Sequence, residues 1–258
     1  MPRYKLVIEY DGTNFHGWQS QKNAITIQGE LEIAISNLLK IEVKVQGASR
    51  TDSGVHAYGQ VAHFDVEKSY DIYRMQNGIN YYLRPHKICI VAIEKVDDEF
   101  HARFSAKHKQ YVYQIINRTA PTVLFENKAW HIKEQLNIYK MQEAAGHLIG
   151  THDFSSFRAT GCQAQSPIKT LDSVQIEKVD DQISIKLTAK SFLYNQVRIM
   201  VGTLRDFGQE KWSPSHMKAI LESKTRALAG QTAPSHGLHL KKIDYLHSPL
   251  IISQTISN

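Results

Sequence analysis

The sequence predicts an α+β fold with antiparallel sheets, arranged as two related halves. Three observations predict it. Strand-like alternation and helix-like periodicity follow one another in a mixed order rather than as a regular strand–helix repeat. The same recipe recurs in the second half, with a join near residues 99–106 but no sequence repeat and no Pro/Gly-rich linker. The 258 residues, 42% hydrophobic and 22% charged, match globular averages and suffice to bury a core without staples.

Each element has its own signal. Tyr4, Leu6, Ile8 and Tyr10 alternate with Lys5, Val7 and Glu9, which predicts a strand, and Asp11-Gly12 predicts a turn after it. Thr26 is the expected N-cap of a helix running to about Lys40, with Ile27, Leu31, Ile35 and Leu38 on one face. Residues 43–46 and 60–66 read as strands, and residues 47–56 between them are too polar and glycine-rich for either element. In the second half, residues 109–117 read as a strand. Ile138, Met141, Ala145, Leu148 and Ile149 stripe a helix. Ile183, Ile185, Leu187 and Ala189 alternate as a strand, and Leu193, Val197, Met200, Val201 and Leu204 stripe another helix. Pro214 starts a short helix over 215–221, and Leu238, Leu240 and Ile243 suggest a last strand. The tail from Ser253 is expected to fray.

Composition excludes wholesale disorder, collagen and coiled coil. With no run of 18 apolar residues, no transmembrane helix is expected, and the first residues lack the apolar core of a signal peptide. Two cysteines, Cys89 and Cys162, are too few for a disulfide framework, so a reducing cytoplasm is the expected compartment.

The 31 basic and 25 acidic residues leave a net charge of +6. The distribution says more than the total. Residues 100–125, 182–205 and 223–243 contain no acid, yet carry Arg103, Lys107, Lys109 and Arg118; Lys186, Lys190, Arg198 and Arg205; and Lys224, Arg226, Lys241 and Lys242. Such stretches suit a surface that tracks phosphates, and ordinary surface lysines between strands would give the same pattern. Phe104, Tyr111, Tyr113, Phe154, Phe157 and Phe192 lie among these cations. Flat rings beside cations suit stacked bases, although most of the six are expected in the core. Tyr111 and Tyr113 share one face of a strand, so spacing does not choose between them.

Several chemistries lack their motifs. There is no Cys-x-x-Cys and no His-Glu-x-x-His, and His236 and His239 have no nearby cysteine, so no metal is expected. The absence of Gly-x-Gly-x-x-Gly and Gly-Lys-Ser/Thr removes the dinucleotide and P-loop readings, so no nucleotide cofactor is expected. The absence of Gly-x-Ser-x-Gly removes the serine-hydrolase elbow.

Asp52 is the informative residue. It is the sole acid between Val43 and Phe64, in a polar loop bracketed by Gly47 and Gly54, with Arg50 two residues before it. A neighbouring cation lowers a carboxyl pKa, which predicts an ionised Asp52 able to act as nucleophile or base. A turn aspartate with a local salt bridge gives the same loop composition. Asp52-Ser53-Gly54 also matches the triplet of aspartic proteases. That chemistry needs two carboxylates sharing a proton, no second triplet occurs, and an adjacent arginine opposes the sharing.

Arg50-Thr51-Asp52-Ser53-Gly54-Val55-His56-Ala57, continuing to Gly59-Gln60-Val61-Ala62-His63-Phe64, resembles the TruA family of tRNA pseudouridine synthases. Further motifs follow in family order: Glu9-Tyr10-Asp11-Gly12, Phe15 and Gly17-Trp18-Gln19; Phe100-His101-Ala102-Arg103-Phe104-Ser105-Ala106 with Tyr111-Val112-Tyr113; Asp153-Phe154-Ser155-Ser156-Phe157; Ser191-Phe192-Leu193; Gln196-Val197-Arg198; and Gly237-Leu238. The resemblance spans about residues 3 to 245. It implies that Asp52 is the catalytic aspartate and that Arg50 helps flip and hold the target nucleotide. It implies that Tyr111 stacks on the uracil, Arg198 is a basic partner of the aspartate, and Leu238 lines the uracil pocket. It also implies two ferredoxin-like halves, residues 1–103 and 104–258, meeting around a catalytic cleft. The implied substrate is tRNA, modified at positions 38, 39 and 40 of the anticodon arm by a homodimer with no cofactor. Ser49 stands where the family commonly has glycine and Ser53 where it commonly has alanine. Asn80-Tyr81-Tyr82-Leu83-Arg84-Pro85 departs from the family's Asn-x-Asn-Leu-Pro. A non-catalytic RNA-binding relative is the alternative, and the intact Arg50, Asp52 and Tyr111 argue against it.

Overall fold

The structure, a computed structural model, describes residues 1–246. Ten strands form one sheet: β1 (Arg3–Tyr10), β2 (Gln46–Gly47), β3 (His56–Asp65), β4 (Ile88–Val96), β5 (Ala106–Asn117), β6 (Trp130–Ile132), β7 (Gly150–Asp153), β8 (Ile168–Val179), β9 (Gln182–Ala189) and β10 (Leu238–Tyr245). The order across the sheet is β4-β1-β3-β10-β5-β9-β8-β7, with β2 beside β3 and β6 beside β5. Among the described residues five α-helices accompany it: α1 (Ile27–Leu39), α2 (Ile72–Leu83), α3 (Ile138–Gly146), α4 (Gln196–Gly208) and α5 (His216–Ser223). The expected α+β class with antiparallel pairing holds. The two sets of strands join edge to edge through β10, which runs parallel to β3 and antiparallel to β5. No helix among the described residues is long and apolar enough to cross a membrane.

Local chemistry explains where the elements begin and end. The Thr26 hydroxyl accepts from the Gly29 amide at 3.2 Å, capping α1, which buries Ile27, Leu31, Ala34 and Ile35. The expected strand over 43–46 pairs with β3 only through Gln46 and Gly47. The reason is that α1 side chains take the backbone groups: Ser36 accepts from Val43 N, Glu32 from Val45 N, and Gln28 donates to Val45 O. The helical stripe begins at Gln196 rather than at Leu193, because Asn195 takes the left-handed conformation (φ 61°) and the Gln196 side chain accepts from the Leu193 amide. α4 is buried along almost its whole length. α2, β4, β6, β7 and β8 are additions to the expected elements, and the tail from Ser253 lies outside the described residues.

The core runs continuously under both sets of strands. Of the six aromatics, Tyr111, Tyr113, Phe154 and Phe157 are buried in it and Phe192 packs against it. Phe104 is 74% exposed, with the Arg103 guanidinium over its ring.

Candidate active site

Asp52 sits in residues 48–55, the connection from β2 to β3. Nearly every neighbour of Asp52 in this loop is tied down. Gly47 lies flat against the Trp18 indole, where a Cβ would come within 2.4 Å of the ring. Gln60 accepts from the Ser49 amide and donates to its carbonyl. The Thr51 hydroxyl meets the buried Tyr10 hydroxyl at 2.7 Å, and its carbonyl accepts from Trp18 N at 3.0 Å. Ser53 donates to Phe15 O. Gly54 has φ +78° and faces Ser235, so a side chain there would be strained as well as crowded. These bonds leave the Asp52 side chain as the loop's projecting acid.

It projects toward α4. Asp52 Oδ2 lies 3.0 Å from Arg198 Nη1, a pair joining residues 146 apart in the chain. The guanidinium is itself aimed: Nε donates to Ala233 O at 2.8 Å and Nη1 to Asn195 Oδ1 at 2.9 Å. Asn195 holds this position in the left-handed conformation, a strained backbone of the kind that clusters at functional sites. Arg198 thus makes the ion pair with Asp52. Arg50 does not: its Nη1 donates to Gln163 Oε1 at 3.0 Å, an exposed bond. The expected lowering of the Asp52 pKa is therefore corrected. Burial raises it, Arg198 opposes, and the balance leaves the carboxyl above its ordinary value.

Tyr111 stands beside the loop. Its hydroxyl meets Ser49 Oγ at 2.8 Å, and its ring packs edge-on against Phe192 with centroids 5.3 Å apart. Burial, reinforced by the Asp52 charge and opposed by the Ser49 bond, pushes its phenol up to about 12. At neutral pH it is a neutral ring suited to stacking. Tyr113, on the same face, spends its hydroxyl on Pro234 O at 2.7 Å. Leu238 pairs in register with Tyr113, and Leu240 with Tyr111, so Leu238 shares the face that carries both rings. The sheet and α4 thus bring Asp52, Arg198, Tyr111 and Leu238 to one region, and Arg50 turns to Gln163 instead.

A family model described as tRNA pseudouridine synthase matches residues 6–105 and 144–246. The chain belongs to that family. The tRNA pseudouridine synthase A of Ehrlichia canis (strain Jake) is 51% identical over 244 residues, covering 94% of this chain and all of the relative. That of Wolbachia pipientis wMel is 50% identical over the same shares. That of Paramagnetospirillum magneticum (strain ATCC 700264 / AMB-1) is 47% identical over 245 residues, covering 95% of this chain and 96% of the relative.

For this tRNA pseudouridine synthase family member, the surroundings of the site add residues that sequence reasoning did not single out. Gln163 holds Arg50, Asn195 orients Arg198, and Gln60 and Tyr10 brace the loop. Tyr10 and Gln60 stand in motifs quoted above without a role attached to them, and Gln163 and Asn195 lie outside every motif. Some cations of the acid-free stretches are neutralised across the fold: Lys186 by Glu177, Arg118 by Asp181 and Lys224 by Asp153. His239 bonds Lys128 O through Nε2 and stacks on the His56 ring at 4.7 Å, and the His236 backbone carbonyl meets His56 Nε2 at 3.1 Å. Among the described residues no group of three or more His, Cys, Asp and Glu side chains is arranged to hold a metal.

Proposed function

We propose that this chain isomerises uridine to pseudouridine in tRNA, at positions 38, 39 and 40 of the anticodon arm, with Asp52 as the essential group. The observation that carries the reading is the Asp52–Arg198 pair at 3.0 Å, beside a buried tyrosine ring, in a member of this family. In the reaction the bond between uracil N1 and C1′ breaks, the base turns, and C5 bonds to C1′. C5 then loses its proton while N1 regains one, so no oxidant, reductant or nucleotide enters the balance. The Asp52 carboxylate attacks the sugar or the base, or takes a ribose proton; each route needs it ionised and aimed. Arg198 supplies the aim, and favours the charged form against the pull of burial. Tyr111 stacks on the uracil and Leu238 lines its pocket. The target nucleotide must leave its stack to reach a carboxylate this enclosed, and Arg50, released from Gln163, holds the vacated place.

In this reading residues 1–103 carry the aspartate loop and 104–258 complete the site. The enzyme works in the cytoplasm as a homodimer, with tRNA lying across both subunits. The test is tritium release from tRNA carrying uridine labelled at C5, because the new bond expels that hydrogen. Wild type should release it. Asp52→Ala should not, while binding tRNA within about threefold of wild type, a difference below 1 kcal/mol. Turnover by Asp52→Ala would sink the assignment.

A further inference from the structure

Lys109 is a buried cation beside the aspartate loop that the reaction scheme leaves without a role. β5 places Lys109, Tyr111 and Tyr113 on one face. Lys109 is 8% exposed, and its Nζ donates to the Ala48 carbonyl at 2.6 Å. Among the described residues it has no carboxylate partner, unusual for a lysine so enclosed. Its strand neighbours in register, Ile243 of β10 and Ala189 of β9, are apolar. The charged group acting on it is Arg103, from the connection before β5, and that charge is of like sign. Burial and then Arg103 bring the ammonium down to about 8.

An ammonium in such a place is costly to the fold, and a methionine of similar length would avoid the desolvation. What the ammonium achieves is a closed ring of contacts. Lys109 holds the carbonyl of Ala48; the next residue, Ser49, meets the Tyr111 hydroxyl; and Tyr111 returns along the strand to Lys109. The ring fastens the leading end of the aspartate loop to β5, as Arg198 fastens Asp52 to α4.

We propose that Lys109 is a positioning residue for the reaction: by holding the Ala48 carbonyl, its charged ammonium sets the aspartate loop against the Tyr111 ring, and turnover requires that charge. A charge-assisted bond is about twice as strong as a neutral one, so an uncharged amine holds the loop more loosely. The inference rests on the reading of Asp52 given above.

The test measures tritium release under single-turnover conditions from about pH 6 to about pH 10. Wild type, Lys109→Arg, Lys109→Met and Asp52→Ala are compared, with tRNA affinity measured in parallel. Wild-type turnover should fall on the alkaline side with a midpoint near 8. Lys109→Arg should carry that limb upward by at least about one pH unit, because a guanidinium stays protonated. Lys109→Met should lower turnover on the order of 30-fold with tRNA affinity unchanged within about twofold. Wild-type turnover by Lys109→Met, or an unmoved alkaline limb in Lys109→Arg, overturns the proposal. If Lys109→Met does not fold, as judged by circular dichroism, the Lys109→Arg profile decides alone. An active Asp52→Ala removes the underlying reading. An inactive Asp52→Ala beside a fully active Lys109→Met removes only the role of Lys109.

Discussion

Two arginines compete for Asp52 in the sequence, and only one reaches it. Arg50 is two residues away but turns outward to Gln163; Arg198 is 146 residues away and makes the ion pair. Proximity along a chain is a poor guide to pairing in a loop whose backbone is fixed by other bonds. Asp52 drew attention because it is a lone acid among cations and glycines, whereas its contact with Arg198 joins residues no local pattern connects. The direction of its pKa was not legible, since burial depends on α4 and on the sheet, not on the loop's composition. Asn195 left no signal, because it works through a backbone conformation; Lys109 stood out only as one cation of an acid-free stretch, not as a side chain that holds a carbonyl. At this scale the prediction concerns Arg198→Gln. Removing the guanidinium removes the influence that lowers the Asp52 pKa, so the acid limb of the rate profile should move to higher pH. Turnover at neutral pH should drop roughly 100-fold, about 2.7 kcal/mol. An acid limb at the wild-type position in Arg198→Gln would show that the carboxyl does not feel this arginine.

Elements with a strong single-face pattern were legible, and diluted ones were not. α1 announced itself through Thr26 and four apolar residues in step. α2 carries Met75, Ile79 and Leu83 at four-residue spacing, but Tyr73 and Tyr81 on its outer face are largely exposed and blur the pattern. β8 hides in the same way, with Leu171 and Ile176 its deeply buried apolar residues. The overlooked signal for α2 was its cap, since Asp71 accepts from the Arg74 amide at 2.8 Å. Asp71→Ala should therefore cost about 1 kcal/mol, a fall in Tm of roughly 2–4 °C, with the tritium-release rate of the folded enzyme unchanged. A thermal melt paired with that assay checks both halves; an unchanged Tm would show that the cap contributes nothing.

For the whole molecule, the sheet joining both halves was beyond local pattern, because the pairing of β10 with β3 links residues about 180 apart and no periodicity names a partner. The same long-range packing sets the acid sensitivity. Burial, then repulsion from His239 and Lys128, holds His56 down at about 4; burial, then His101 and Arg3, does the same for His63. Both are neutral in the fold, whereas the unfolded chain takes up their protons below about pH 6.5. Their contribution to stability is thus complete above that value and is lost as pH falls toward 4. Discounted for partial solvent screening, each is on the order of 1–2 kcal/mol, so melts at about pH 7 and pH 4.5 should differ by roughly 3–8 °C. His63→Gln should flatten part of that dependence. An equal Tm at the two pH values would contradict the assignment of both imidazoles.

β10 occupies the middle of the sheet although it comes last in the described chain. During synthesis the strand bearing Tyr111 and the loop bearing Asp52 emerge long before the piece that unites them. Contacts between such distant segments form late and slowly. A nascent chain that has not reached Leu238 holds the β3 and β5 segments without the strand that hydrogen-bonds to both. The continuous sheet is in that sense assembled only once residues 238–245 have been made.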